Sequence, residues 1–383
     1  MPRTIRGTTA GDILRGSTDR DVMFGARGKD TLYGYEGNDR LSGGEGGDRM
    51  VGGDGNDTYV AENTADWVTE LADEGTDLVL ASLRRYKLPA NVENLTFITK
   101  HAHLGIGNAL DNVITGSDER DQLFGGSGAD VLTGGAGKDF LSGENGNDTL
   151  RGENGNDTLN GGAGADLLDG GSGADNMFGG KGNDIYIADN LLDSAVDVAS
   201  SGNDEVRASV DFKLSSNIEK LTLTGEQPID GTGNALDNVL IGNDKPNELK
   251  GERGNDVLDG GKGNDVLSGG EGADKFVFAA APSSVLNFDV ITDFSSAAHD
   301  RIVLALDVFA DFGGAGKIGP DAFKAGPGVV KAAADGQFLI YDTTTGALYY
   351  DAEGPDGGNP VKIAQLGLSD HPVLAWSDFV IIG

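Results

Sequence analysis

Across Gly125–Ile187 one large apolar residue returns at every ninth position: Leu132, Leu141, Leu150, Leu159, Leu168, Met177 and Tyr186. Polar residues and glycines fill the gaps. A period of nine matches neither the 3.6 of a helix nor a long alternating strand, but an x-apolar-x triplet suits a short strand with one inward side chain. The other six residues, as in GGSGAD and GENGND, carry Gly at the first and fourth places and Asp at the sixth, and read as a tight turn. Two such halves make one turn of a coil, and stacked turns repeat at about 4.8 Å, the spacing of neighbouring strands. The pattern predicts a solenoid with a thin apolar core.

The same step organises most of the chain. A first block (residues 1–60) keeps it through Asp12, Asp21, Asp30, Asp39, Asp48 and Asp57, although its opening units GTTAGDILR and GSTDRDVMF lack the inner glycine and read as a starting cap. A spacer (61–104) breaks the period with strand-like runs at Trp67-Val68-Thr69, DLVLAS (77–82) and VENLTFI (92–98). The second block (105–187) follows, then a second spacer (188–230) in which GNDEVRAS answers GTDLVLAS and NIEKLTL answers NVENLTF. The third block (231–277) re-enters with GTGNALDNVLIG, a near copy of GIGNALDNVITG in the second. Repeats and spacer have been duplicated together, so the spacers are expected to widen the solenoid. The Asn-bearing units around Asn112, Asn238 and Asn247 bring hydrogen-bonding groups without charge and are read as metal-free rungs. Beyond 278 glycine thins out and alternating runs with a turn at Thr344-Thr345-Gly346 predict a β-rich cap (278–383).

Charge then narrows the chemistry. The 383 residues hold 62 Asp and Glu against 29 Lys and Arg, a net charge of −33. That balance repels a phosphate backbone, excluding a general affinity for nucleic acid, and favours cations. Cysteine is absent, so neither disulfides nor thiolate sites brace the chain. In each turn the glycines let carbonyl oxygens face inward and the Asp adds a hard anionic oxygen. Calcium takes six to eight oxygens at about 2.3–2.6 Å, so an ion between stacked turns can touch oxygens above and below.

These units resemble the repeats-in-toxin (RTX) family, whose nonapeptide G-G-x-G-x-D-x-U-x is a calcium-binding repeat. The resemblance implies an all-β fold, a parallel β-roll or β-helix solenoid, with Ca²⁺ held by the Asp carboxylates and turn carbonyls. The ligands it marks are Asp30, Asp39, Asp48, Asp57, Asp130, Asp139, Asp148, Asp157, Asp166, Asp175, Asp184, Asp256, Asp265 and Asp274. With them come the turn glycines Gly126, Gly128, Gly135, Gly137, Gly162, Gly164, Gly171, Gly173, Gly180, Gly182, Gly261 and Gly263. Counting one ion between successive loops on an edge leads to roughly ten Ca²⁺. The last segment resembles the C-terminal domain of serralysin-type proteases, which implies a cap and an uncleaved signal for the type I secretion machinery at Asp378-Phe379-Val380-Ile381-Ile382; the trailing Gly383 departs slightly from that pattern. The amino terminus has no apolar core of a secretory signal peptide, and no run of eighteen apolar residues offers a transmembrane helix.

No catalytic constellation is found. The histidines (His101, His103, His299, His371) form no H-E-x-x-H, and neither G-x-S-x-G nor G-K-[ST] occurs. His101 and His103 are expected to be a solvated pair on a loop. Arg84-Arg85-Tyr86-Lys87, replaced by Val210-Asp211-Phe212-Lys213 in the second spacer, offers a contact for an anionic polysaccharide or cell surface. The expected function is that of a secreted, non-enzymatic calcium-binding protein that folds on meeting Ca²⁺ outside the cell. The alternatives are the calcium-binding tail of an RTX protease, lipase or alginate epimerase, and an adhesive or membrane-active RTX protein.

Overall fold

The structure, a computed structural model, describes residues 3–198, 202–355 and 357–383. Residues 1–2, 199–201 and 356, which fall in the first block, the second spacer and the C-terminal segment, lie outside this description. Helix among the described residues is limited to the 3₁₀ turns Ala310–Phe312, Pro320–Ala322 and Trp376–Asp378. Among the described residues no helix is long and apolar enough to cross a membrane. The fold is all-β, a parallel β-solenoid of the β-roll kind, and the chain divides into two compact units, Met1–Gly202 and Asn203–Gly383.

In the first unit one wall is a continuous parallel sheet that starts at Arg3–Arg6, Asp21–Arg27, Arg40–Glu45 and Thr58–Ala61. It crosses the first spacer through Leu78–Ala81 and Asn94–Phe97 and runs on to Ile185–Ala188. Within the repeats each strand pairs with the one eighteen residues later, as in Asp130 over Asp148; at the spacer the step becomes twenty and then sixteen. The coil therefore continues through a segment whose nonapeptide period has lapsed. The opposite wall is a parallel sheet from Ile13–Arg15 to Trp67–Thr69, then a second one from Arg85–Lys87 to Ser194–Val196.

The apolar residue of each triplet forms the core. Met23, Leu32, Leu41, Met50, Leu132, Leu141, Leu150, Leu159, Leu168 and Met177 are all fully buried, and Val79, Leu95 and Ile114 carry the columns across the spacer. With so few apolar atoms per turn, each column member contacts its neighbours above and below.

The second unit repeats the plan. One wall runs in parallel from Glu205–Ala208 through Lys220–Leu223 and Val257–Asp259 to Lys275–Phe278 and Arg301–Ala305. It ends on Phe379–Ile382, which pairs in parallel with Arg301–Ala305 while Gly316–Lys317 joins it antiparallel. The other wall passes from Asp289–Ile291 to Val361–Leu366 and on through the antiparallel strands Ala347–Tyr350 and Leu339–Asp342. Gly346, at φ 74°, turns the hairpin where the sequence places it. Antiparallel strands thus cover the end of a parallel coil.

Replacing Leu150, fully buried in mid-column, by Ala is expected to cost about 2–5 kcal/mol in denaturant unfolding at saturating calcium; a loss below about 1 kcal/mol would show that the column carries little of the stability.

Candidate metal centre

Each turn places its Asp at the start of a strand, and these carboxylates form ladders up the two edges of the coil. The backbone N–H of one Asp donates to Oδ1 of the Asp one turn on: Asp30 to Asp48 at 2.8 Å, Asp39 to Asp57 at 2.6 Å, Asp130 to Asp148 at 2.8 Å and Asp139 to Asp157 at 2.8 Å. Asp148, Asp157 and Asp166 donate in the same way to Asp166, Asp175 and Asp184. In the second unit Asn247 donates to Asp265, and Asp256 to Asp274. One oxygen of every carboxylate is thereby held.

The second oxygen is not. Oδ2 of Asp30, Asp39, Asp48, Asp57, Asp130, Asp139, Asp148, Asp157, Asp166, Asp175, Asp256 and Asp265 is buried and accepts no hydrogen bond. A methyl group built on the first glycine of the loop shows what lies opposite. On Gly152 it would strike Asp157 Oδ2 and stand 2.6 Å from the Gly170 carbonyl oxygen; on Gly34 it would strike Asp39 Oδ2 and stand 2.7 Å from the Gly52 carbonyl. Acceptor oxygens from two successive turns therefore converge on one point, an arrangement that attracts a cation.

The cause is the sign of φ at the second residue of the loop. In loops with an unsatisfied Oδ2 that residue is left-handed: Gly44, Gly53, Gly126, Gly135, Gly162, Gly171 and Gly261, and also Ala26, Tyr35, Glu144, Glu153 and Glu252. The fourth-position glycines Gly128, Gly137, Gly164, Gly173, Gly182 and Gly263 are left-handed too, as is Gly180 at the second position beside Asp184. Where the second residue is not left-handed, the loop closes on its own carboxylate. Thr8 donates to Asp12 Oδ2 from its backbone (2.6 Å) and its hydroxyl (2.9 Å), and Ser17 and Ser117 do the same for Asp21 and Asp121. The Asn rungs close in the same way: Asn108 N–H donates to Asn112 Oδ1 at 2.7 Å and Asn234 N–H to Asn238 Oδ1 at 2.7 Å, while each Nδ2 donates to the preceding rung, Asn112 to the Glu93 carbonyl at 3.1 Å and Asn238 to the Glu219 carbonyl at 3.2 Å. A backbone N–H, joined by a hydroxyl where Thr or Ser follows the glycine, thus occupies in these rungs the role left open in the others.

Electrostatics agree with the geometry. Burial, more than any neighbouring charge, pushes Asp57, Asp130, Asp139, Asp166 and Asp256 up to about 7, and Asp39, Asp175, Asp184 and Asp274 up to about 6. Burial thus disfavours the bare carboxylate, and a divalent ion can take the place of the proton that would otherwise neutralise it. A donor set of carboxylate and carbonyl oxygen fits calcium.

The ladder is longer than the nonapeptides indicate. Asp48 donates to Asp66, Asp57 to Asp77, Asp77 to Glu93, and Asp175 to Asp193. In the second unit Asp204 donates to Glu219, Asp265 to Asp289 and Asp274 to Asp300, the last two across steps of 24 and 26 residues. Each of these acids precedes an apolar residue by two places, as in Asp289-Val290-Ile291, and that acid-x-apolar signal survives the loss of the period. His103 also belongs here, against the expectation of a solvated pair. It is buried, its N–H donates to Asp121 Oδ1 at 2.6 Å, and its ring stacks on Phe97 at 4.2 Å, because it occupies an Asp rung at the end of the spacer.

Comparison with known families agrees with this geometry. The model of the RTX calcium-binding nonapeptide repeat matches residues 6–41, 24–59, 33–68, 106–141, 115–150, 133–168, 151–186, 232–267 and 241–276. A search of curated proteins finds no match.

Replacing Asp148 by Asn removes the charge and puts an amide donor within reach of the acceptors around the open oxygen, so calcium bound per chain is expected to fall while residual β structure in chelator, read by circular dichroism, rises. With pKa values raised from 3.8 to about 6–7, the folded chain without metal holds protons that the unfolded chain releases. Its stability is therefore expected to be highest near pH 4 and to fall as pH rises towards 7, while calcium affinity climbs over the same window; thermal melts and calorimetric titrations at stepped pH check both.

Proposed function

Since this chain is a protein of RTX calcium-binding repeats, we propose that it is a secreted, non-catalytic protein which stays unfolded until calcium fills its loops outside the cell. The observation that carries this reading is the file of buried carboxylates whose second oxygen has no donor. At neutral pH each needs a cation, and with a net charge of −33 and a thin core the chain has little else to offset their repulsion. Extracellular calcium modules work at about 10⁻⁴–10⁻³ M, a concentration found outside cells and not in cytoplasm. About ten ions would neutralise most of the excess charge.

The carboxyl-terminal strand supports the order of events. Phe379 and Ile381 are buried in the sheet, and Asp378 accepts hydrogen bonds from the Ser296 hydroxyl at 2.7 Å and the Ala375 N–H at 2.8 Å. If Asp378–Ile382 is the type I export signal, it can be read only before folding, so export precedes calcium binding. The role after export is structural or surface-binding. A cavity of about 470 Å³ beside exposed Trp67, lined also by Arg85, Tyr86 and Lys87, supports contact with an anionic polysaccharide: a flat ring for a sugar face, cations for its carboxylates or sulfates.

Far-ultraviolet circular dichroism is expected to show a largely disordered chain in chelator and full β structure at millimolar calcium; full β structure in chelator at pH 7.5 would refute the folding switch. Replacing both Arg85 and Lys87 by Ala is expected to weaken binding to alginate or a sulfated glycan at least tenfold without changing the calcium midpoint, and unchanged glycan affinity would remove this partner.

A further inference from the structure

The last loop of the first block has a donor set that the repeat does not specify. Gly52 opens that loop, and one turn on, where Gly16 and Gly34 lead one to expect another glycine, stands Glu70. Glu70 is only 5% exposed; Gly53 N–H donates to its Oε2 at 3.3 Å, and its Oε1 has no partner. Two further fully buried atoms nearby are also unpartnered, Asp57 Oδ2 and the Tyr59 hydroxyl. A methyl group built on Gly52 would run into all three. Carboxylate oxygens of Asp57, Glu70 and the buried Asp77 lie within 4.8 Å of one another.

Two features argue for a ligand and against a chance gathering of acids. The first is the tyrosine. Its place in the triplet belongs elsewhere in the block to Met23, Leu32, Leu41 and Met50, and a hydroxyl buried there without a hydrogen bond is destabilising unless something binds it. The second is recurrence. The last loop of the second block ends on Tyr186, whose hydroxyl accepts from Gly179 N–H at 3.0 Å and donates to Asp197 Oδ1 at 3.2 Å; Asp197 stands one turn after Gly179, as Glu70 does after Gly52. An acid and a tyrosine thus close both blocks.

We propose that Asp57, Glu70 and Asp77, with the Tyr59 hydroxyl, form a separate divalent-cation site that closes the first block. Carboxylate oxygens that lie within 4.8 Å of one another can reach a single divalent ion between them. Three carboxylates make this site more anionic than a repeat loop, so it holds its ion more tightly and anchors the end of the coil at calcium levels too low to fill the loops. The choice of calcium rests on the function proposed above, and Asp57 is shared with the repeat.

The test counts calcium per chain by atomic emission after dialysis of the full-length protein at graded free calcium. Variants E70Q, E70D, Y59F and D148N are compared, with circular dichroism confirming the fold. E70Q is expected to carry one ion fewer than the parent, with the loss at the lowest calcium levels. E70D, which copies Asp197, is expected to keep that ion. Y59F, which changes no charge, is expected to weaken it by about 10- to 100-fold. If E70Q does not fold, the E70D and Y59F titrations decide alone, and a Y59F curve matching the parent overturns the site. A full count in E70Q with unchanged affinity also overturns it, leaving Glu70 as a protonated acid bonded to Asp57. D148N losing calcium while E70Q does not leaves the loop reading intact and refutes only this site; the reverse supports the site and refutes the loops.

Discussion

A carboxylate buried with one oxygen bonded to the backbone and the other facing only acceptors is the constraint on which this structure depends. The bonded oxygen sets the register of the coil, because Oδ1 of each Asp takes the N–H of the rung one turn before it. The other makes the register conditional on charge. A buried acceptor without a donor is destabilising by about 1–3 kcal/mol, and more when ionised, so a file of them on both edges opposes folding at neutral pH until protons or cations arrive. Register and metal dependence are thus two ends of one side chain.

Backbone conformation decides which rungs are open in this way. A left-handed second residue turns its N–H away from the carboxylate; a right-handed or extended one lets Thr8, Ser17 or Ser117 close the ring locally. For Ala26, Tyr35, Glu144, Glu153 and Glu252 the left-handed state costs about 1–2 kcal/mol each, and the fold keeps it. Strain retained at five loops that also carry an unsatisfied carboxylate points to compensation from binding. The closed rungs lie mostly where the coil starts or resumes after a spacer, so the local hydrogen bonds act as ends for the metal-dependent runs.

The thin core is the counterpart of this arrangement. One apolar residue per triplet is enough to align turns that are already tied by sheet hydrogen bonds and by the carboxylate ladder, but offers little surplus against repulsion among acids. Where the coil ends in the second unit the balance changes. Larger residues such as Phe276, Phe309, Leu339, Tyr341 and Phe379 are each buried there, and the antiparallel hairpin covers strands that would otherwise present an open edge.

Much of this was legible along the chain. Glycine at the first place and Asp at the sixth mark the turn, the eighth-place Leu marks the core, and a strict step of nine leaves no other way to satisfy all three, so the solenoid, its strands and the carboxylates at issue follow from local spacing alone. Periodicity says nothing once the step varies. Asp66, Asp77, Glu93, His103, Asp289 and Asp300 join the ladder across steps that include 16, 20, 24 and 26 residues, because a sheet hydrogen bond constrains the height of a rung and leaves the length of chain between rungs free. Only the tertiary structure could show that Glu70 comes back over Gly52 to meet Asp57 and Tyr59. It alone also reveals that the final strand is enclosed in the sheet, since both depend on which turns stack and neither on any pattern within a turn.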